Sequence, residues 1–190
     1  LPGERFLGAM RVGLQYVQQS ARMRTVLMRV FMFFMQSTAL VALLPLLAQQ
    51  MPDGSARTYT VLLASMGAGA ILSATQIPRW RRAYSSDTIV HVGSLVQAAT
   101  LGGAALAPNI WLAVPAMFVT GIAWLTVANT LAVSAQLSLP DWVRARAMST
   151  YQMSIMGGSA LGAALWGQIA DFTDLRTSIV LAALVGSAAW

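Results

Sequence analysis

The 190-residue chain is 57% hydrophobic and 9% charged, with a mean hydropathy of +0.64, whereas soluble domains carry about 25% charged residues, so the composition points into a membrane. All 12 basic residues are Arg and the net charge is +6, yet they sit in short breaks between apolar runs rather than on one face among aromatics, which excludes a nucleic-acid surface. There is no Cys, so disulfides and thiolate metal sites are excluded.

The N-terminal 25 residues place Phe6, Met10, Leu14 and Val17 at helical spacing, with Arg5, Arg11, Gln18 and Gln19 largely elsewhere. That spacing predicts a cytoplasmic amphipathic linker over 1–25, lying at the interface, or an ordinary linker helix. A six-helix transmembrane bundle is expected over 26–190. Its spans are predicted at about 26–47, 58–78, 88–106, 110–137, 147–170 and 177–190, each judged against the roughly 20 apolar residues a crossing helix needs. The first is broken only by Arg29, and the fourth is longer than a crossing requires. The sixth reaches about 21 Å at 1.5 Å per residue, short of the ~30 Å core. With no initiator Met at Leu1 and no signal peptide, these ends read as those of a fragment.

The breaks orient the chain. Arg5, Arg11, Arg22, Arg24, Arg79, Arg81, Arg82, Arg144 and Arg146 fall on one side, against Arg57 and Arg176 on the other. By the positive-inside rule the N-terminal segment and the loops at Arg79–Asp87 and Asp141–Arg146 are expected in the cytoplasm, and those at Asp53 and Asp171–Asp174 outside. Ser138 and Asp141 have the spacing of a capping box and Pro140 suits a first turn, which predicts a short loop helix. Arg144 lies within reach of Asp141 at i+3. Arg144 and Arg146 then either anchor topology or take part in a gate across the bundle.

Enzyme chemistry finds few footholds. There is one His, His91, and no HExxH, so no metal site is expected. The six carboxylates lie outside the spans or at their edges. "GGSAL" at Gly157–Leu161 misses the final Gly of a nucleophile elbow and lies inside a membrane helix, so Ser159 reads as a packing residue. No catalytic residue and no cofactor is predicted.

The small residues carry more. Ser65, Gly69 and Ser73 recur every four residues in the second span, and Ser154, Gly158 and Gly162 do so in the fifth. Each set lies on one stripe where backbones can approach closely. The two spans are the middle members of consecutive, oppositely oriented triplets, as in a 3+3 inverted repeat. In the fourth span Thr126, Asn129, Thr130 and Ser134 share an arc of about 140°, with Trp124 nearly opposite. Such a face needs a wet cavity or partners, and Gln36 and Gln97 raise the same demand at mid-depth. Gln36, Thr126, Asn129 and Thr130 are the candidate cavity residues; Gln97 reads as an interhelical hydrogen-bonding residue.

The stretch "LPDWVRARAMSTYQMSIMGGSALGAALWGQIAD" resembles the cytoplasmic turn and following helix in the second half of major facilitator superfamily transporters, in the branch of bacterial enterobactin-exporter-like permeases. "MRTVLMRVFMFFMQSTALVALLPLLAQ" and "ASMGAGAILSATQIPRWRR" are similar to the same branch. Two departures stand out: Ala145 replaces the usual Gly of the turn, and Arg79–Arg82 keeps only a degraded Gly-x-x-x-Asp-Arg motif without its Asp. The resemblance implies an all-α integral membrane protein, the six-helix C-terminal half (helices seven to twelve) of a major-facilitator fold. It places Gln36, Asn129 and Thr130 near substrate. Its implied partners are a missing N-terminal six-helix half, the lipid bilayer of a bacterial-type inner membrane and a small-molecule substrate, with no nucleic acid. The implied activity is alternating-access transport, by efflux of a drug-like or siderophore-like compound. The alternative is a self-sufficient six-helix membrane protein with a structural or assembly role.

Overall fold

A computed structural model describes residues 20–51, 54 and 56–188. The expected linker at 1–25 lies outside the described residues up to residue 19; from Ala21 onward it is already helix. The described residues form six helices, α1 (Ala21–Gln49), α2 (Ala56–Ala83), α3 (Ser86–Leu106), α4 (Ile110–Leu137), α5 (Asp141–Phe172) and α6 (Leu175–Ala188), and no strand. By length and composition α1 to α4 can each cross a membrane. In α5, which spans 32 residues, glycine, serine and glutamine dilute the apolar content, and the described part of α6 covers 14 residues.

The helices begin where side chains can satisfy their free N–H groups. Ser20 accepts from the Met23 N–H at the start of α1, Ser85 from Thr88 at α3, Asn109 from Leu112 at α4, and Asp174 from Thr177 at α6. α5 differs from the sequence expectation. The loop helix is not separate: Asp141 opens one continuous helix, with Pro140 as its N-cap and no side-chain capping bond. The capping box does not form because Ser138 is the C-cap of α4 and its hydroxyl donates back to the Ser134 carbonyl at 2.6 Å. Proline has no N–H to continue the ladder of α4, so the chain turns there and restarts.

α2 packs chiefly on α4, and α5 chiefly on α1. α3 lies against α4 and α6 against α1, and α3 and α6 touch each other. Exchanging α1 with α4, α2 with α5 and α3 with α6 leaves this scheme of neighbours unchanged. It is the packing of a 3+3 inverted repeat, in an all-helical fold consistent with half of a major-facilitator bundle. The sequence repeats with it: Ser65 and Ser154, Gly69 and Gly158, Ser85 and Asp174, and Thr88 and Thr177 all stand the same number of residues apart.

The apolar interior is divided in two. One cluster joins Ala39–Met51 of α1 and its continuation with Leu101, Met117, Trp166 and Ile179; the other joins Met23, Val30 and Phe33 with Val90, Val127, Leu131, Val143 and Tyr151. Between them α1 and α3 place four buried polar side chains, Gln36, Ser37, Ser94 and Gln97.

Candidate functional site

That polar layer is only partly satisfied. Ser37 donates to the Phe33 carbonyl at 2.6 Å and accepts from Gln97 Nε2 at 2.6 Å, which ties α1 to α3. Gln97 thus makes the interhelical hydrogen bond expected of it. Gln36 is 2% exposed, and its side chain fills the space beside Gly186 of α6, where any Cβ would overlap it. Neither polar atom of the Gln36 amide has a protein partner, and the same holds for Ser94 Oγ, Gln97 Oε1 and Thr130 Oγ1. A buried polar group left unpaired costs roughly 1–3 kcal/mol. Such a cost is tolerated where a site needs the group.

The polar arc of α4 turns towards α2. Thr126 donates to the Ile122 carbonyl at 2.7 Å, so the Ser73 hydroxyl is the donor in the 2.8 Å Ser73–Thr126 bond. Arg81, in the last turn of α2, donates through Nη2 to the Asn129 carbonyl at 3.0 Å and to Asn129 Oδ1 at 2.9 Å. Asn129 is exposed, while Thr126 and Thr130 are buried. Trp124, on the far side of the arc, meets Phe34 of α1 edge-to-face at 6.2 Å between centroids. The fourth arc residue, Ser134, accepts the Ser138 hydroxyl.

The two small-residue stripes make backbone contacts. Ser65 donates to the Val114 carbonyl at 2.8 Å. Gly69 lies against the Phe118 carbonyl, and Gly121 returns the contact against the Met66 carbonyl. On α5, Gly158 faces the Phe31 carbonyl, 2.5 Å from where a Cβ would stand, and Gly162 faces that of Met35. Ser154 bonds its own helix, at the Thr150 carbonyl. Trp166 Nε1 donates to the Met35 carbonyl at 2.9 Å, one turn beyond Gly162 on the same crossing.

Charges gather at the end of the bundle where α2 and α4 finish and α1, α3 and α5 start. Asp141 and Arg144 pair at 2.6 Å, Arg144 also donates to the Leu139 carbonyl at 3.4 Å, and Arg146 is engaged as well. Arg29 of α1 pairs with Asp87 of α3, and both, with Thr88 and His91, line an open recess of about 310 Å³. Among the described residues no three His, Cys, Asp or Glu side chains gather as a metal site would require.

Sequence reasoning missed four of these pairings: Ser73–Thr126, Arg81–Asn129, Arg29–Asp87 and Gln36–Gly186. Periodicity gives the face of one helix and not the helix that meets it. The arginine two residues before the end of α2 was the one available signal, because a cation held near the membrane needs oxygen partners close by.

A model of the family described as transmembrane secretion effector matches residues 1–189. No curated protein and no solved structure matches. With a match of that extent and a bundle of apolar helices related by an internal inverted repeat, the chain belongs to the transmembrane secretion effector family of the major facilitator superfamily and is a multi-pass membrane protein of the transporter type.

Proposed function

We propose that the chain is the C-terminal six-helix half of an enterobactin-exporter-like permease, that it works by alternating access rather than as an enzyme, and that it exports a small, partly apolar compound. The observation that supports this reading is the exchange symmetry of the packing. Each triplet contributes one central helix (α1 or α4), one crossing helix (α2 or α5) and one backing helix (α3 or α6). Rocking of one such bundle against another about a midplane site is how inverted-repeat transporters alternate. The partner would be a second six-helix half, N-terminal to this one in the same protein. In this reading Asn129, whose amide is exposed and held by Arg81, borders the substrate path. Gln36, Thr126 and Thr130 reach the path when α1 and α4 shift.

The basic end faces the cytoplasm in a bacterial-type inner membrane, which the Arg asymmetry between breaks supports. Single Cys residues placed at Tyr84 and at Asp174, labelled with an impermeant thiol reagent in intact cells, should react only at Asp174. Labelling at Tyr84 from outside would overturn the orientation. In proteoliposomes the described bundle joined to its upstream half should move substrate, and the 190-residue chain alone should not. Transport by the chain alone would support the self-sufficient six-helix protein instead. In the complete protein Asn129→Leu should lower transport more than expression; wild-type transport would remove Asn129 from the path.

A further inference from the structure

We infer that the compound taken at the α2–α4 seam is an organic anion, and that Arg81, together with the amide N–H of Asn129, binds its carboxylate or sulfonate oxygens. The inference rests on the export reading above and adds the charge of the substrate to it. α4 is covered almost everywhere: between Ala116 and Ala135 its one exposed residue is Asn129. An exposed amide at that point of an apolar helix calls for water or a polar ligand, because hydrocarbon offers it no partner. Beside it stands a cation. Arg81 is half-buried and bonded to α4, whereas Arg79 and Arg82, its neighbours on the same turn, are exposed. A charge that only marks the cytoplasmic side gains nothing by leaving water for a neighbouring helix.

The groups left over at this place are donors. Arg81 reaches both oxygens of Asn129, the carbonyl at 3.0 Å and Oδ1 at 2.9 Å, through Nη2 alone. Nη1 and Nε of Arg81 and Nδ2 of Asn129 have no partner among the described residues. The bond from Arg81 also orients the Asn129 amide, so that its oxygen is occupied and its N–H groups are left to a ligand. Among the described residues the carboxylates at this end are Asp87 and Asp141, and they are paired with Arg29 and Arg144. A positive charge and free N–H groups, with the Asn129 oxygens and both carboxylates already used, select an oxyanion and disfavour a cation. Guanidinium donors match the oxygens of a carboxylate or sulfonate. The location agrees with the proposed direction: this end faces the cytoplasm, where an exporter loads, and its excess of Arg draws anions from solution.

Two probes that share a ring system and differ in charge test the inference: dansylate, a sulfonate anion, and dansylamide, its neutral sulfonamide. Each is titrated at low ionic strength into the complete protein, upstream half included, in phosphatidylcholine nanodiscs. Binding is read by energy transfer from tryptophan to the dansyl ring. Dansylate should bind roughly tenfold more tightly than dansylamide, the worth of a hydrogen bond to a charged group. Arg81→Gln, which keeps a donor for Asn129, should bring dansylate down to the affinity of dansylamide and leave dansylamide binding and the melting temperature unchanged. Asn129→Asp, which keeps an oxygen for Arg81 but adds a negative charge, should also remove the preference. Arg79→Gln should retain it. Equal affinity for the two probes, binding of neither, or a preference that survives Arg81→Gln would overturn the inference. Movement of the probes in proteoliposomes tests export separately. Dansylate bound with preference but not moved would count against export and leave the anion site standing; both probes moved alike would leave export standing and overturn the anion site.

Discussion

The same helix crossing occurs twice in this molecule and is built from different chemistry each time. Where α2 crosses α4, glycines on both helices bring backbone to backbone, Gly69 on Phe118 and Gly121 on Met66. Three polar contacts then run along the seam, from Ser65 to Val114, Ser73 to Thr126 and Arg81 to Asn129. Where α5 crosses α1, glycines come from α5 alone, and α1 answers with Phe31 and Met35. One indole N–H crosses that seam. On the α4 side the polar groups are largely paired across the seam. On the α1 side the Gln36 amide is left unpaired behind it. Symmetric topology thus fixes where helices cross and leaves open how tightly each crossing is held. In an alternating-access reading α4 shifts together with α2 as one unit, and the α1–α5 crossing is the one that yields.

The sharpest way to break this comparison is to add side chains at the glycines. At all four glycines a new Cβ meets a backbone carbonyl that cannot swing aside, most closely at Gly69 and Gly121, then at Gly162, and least closely at Gly158. Overpacking of this kind costs about 1–3 kcal/mol or more. Gly69→Leu and Gly121→Leu should each lower the melting temperature of the detergent-solubilised protein more than Gly158→Leu, with Gly162→Leu between them. Equal losses at all four positions would show the two crossings to be alike.

Gln36 tests the unpaired side. Gln36→Met keeps the length and volume of the side chain but removes two orphaned polar atoms, so the variant should be more stable by roughly 1–3 kcal/mol. A lower melting temperature would reveal a hidden partner such as a buried water. If transport falls while stability rises, the amide is held in the core for function, the trade expected at a working site.

The seams differ in their hydrogen bonds on a smaller scale. Trp166→Phe removes the indole bond across α1–α5 and leaves the Met35 carbonyl with its helical partner, a loss of about 1 kcal/mol. Ser73→Ala removes one bond of several in α2–α4, and hydrogen bonds between membrane helices average about 0.6 kcal/mol. Thermal melts in one detergent should rank Trp166→Phe above Ser73→Ala. The reverse order would place the polar clamp, and not the shape of the glycine contact, at the centre of the α2–α4 crossing.

Much of the fold was open to a reader of the sequence, because apolar run length, breaks and Arg placement are local properties that a bilayer constrains strongly. The every-fourth spacing of Ser65, Gly69 and Ser73 marks a stripe for the same reason. What spacing cannot carry is the identity of the neighbour. Thr126, Asn129 and Thr130 share an arc whether they look at water or at Ser73 and Arg81, since an unsatisfied polar group is equally content with either. The continuous start of α5 was hidden by Pro140, which ends one helix and can equally open another. Gln36 is the hardest case: an amide at mid-depth promises a partner, and nothing local announces that glycine on α6 would leave it room without one.

The smallest effect separates two turns that the repeat makes equivalent. α3 starts at Ser85, whose hydroxyl accepts from the Thr88 N–H at 3.1 Å, and α6 starts at Asp174, whose carboxylate accepts from the Thr177 N–H at 3.0 Å and from the Thr177 hydroxyl. Only the second cap titrates. The Thr177 hydroxyl, then its N–H, hold the Asp174 carboxyl below the usual carboxylate range. A lowered folded-state pKa means that the charged cap stabilises the native state fully above the unfolded value near ~4, and that this contribution is lost as pH falls through the lower, folded value. Asp174→Ser gives α6 the neutral cap of α3. Wild type should therefore melt above Asp174→Ser at pH 6, and the gap should close as the pH is lowered towards 2. Ser85→Asp should install the same acid dependence at the other turn, where Thr88 stands as Thr177 does. A gap between wild type and Asp174→Ser that holds constant from pH 6 to pH 2 would show that the capping geometry, and not the charge, does the stabilising at α6, and the two turns would then be equivalent in energy as well as in position.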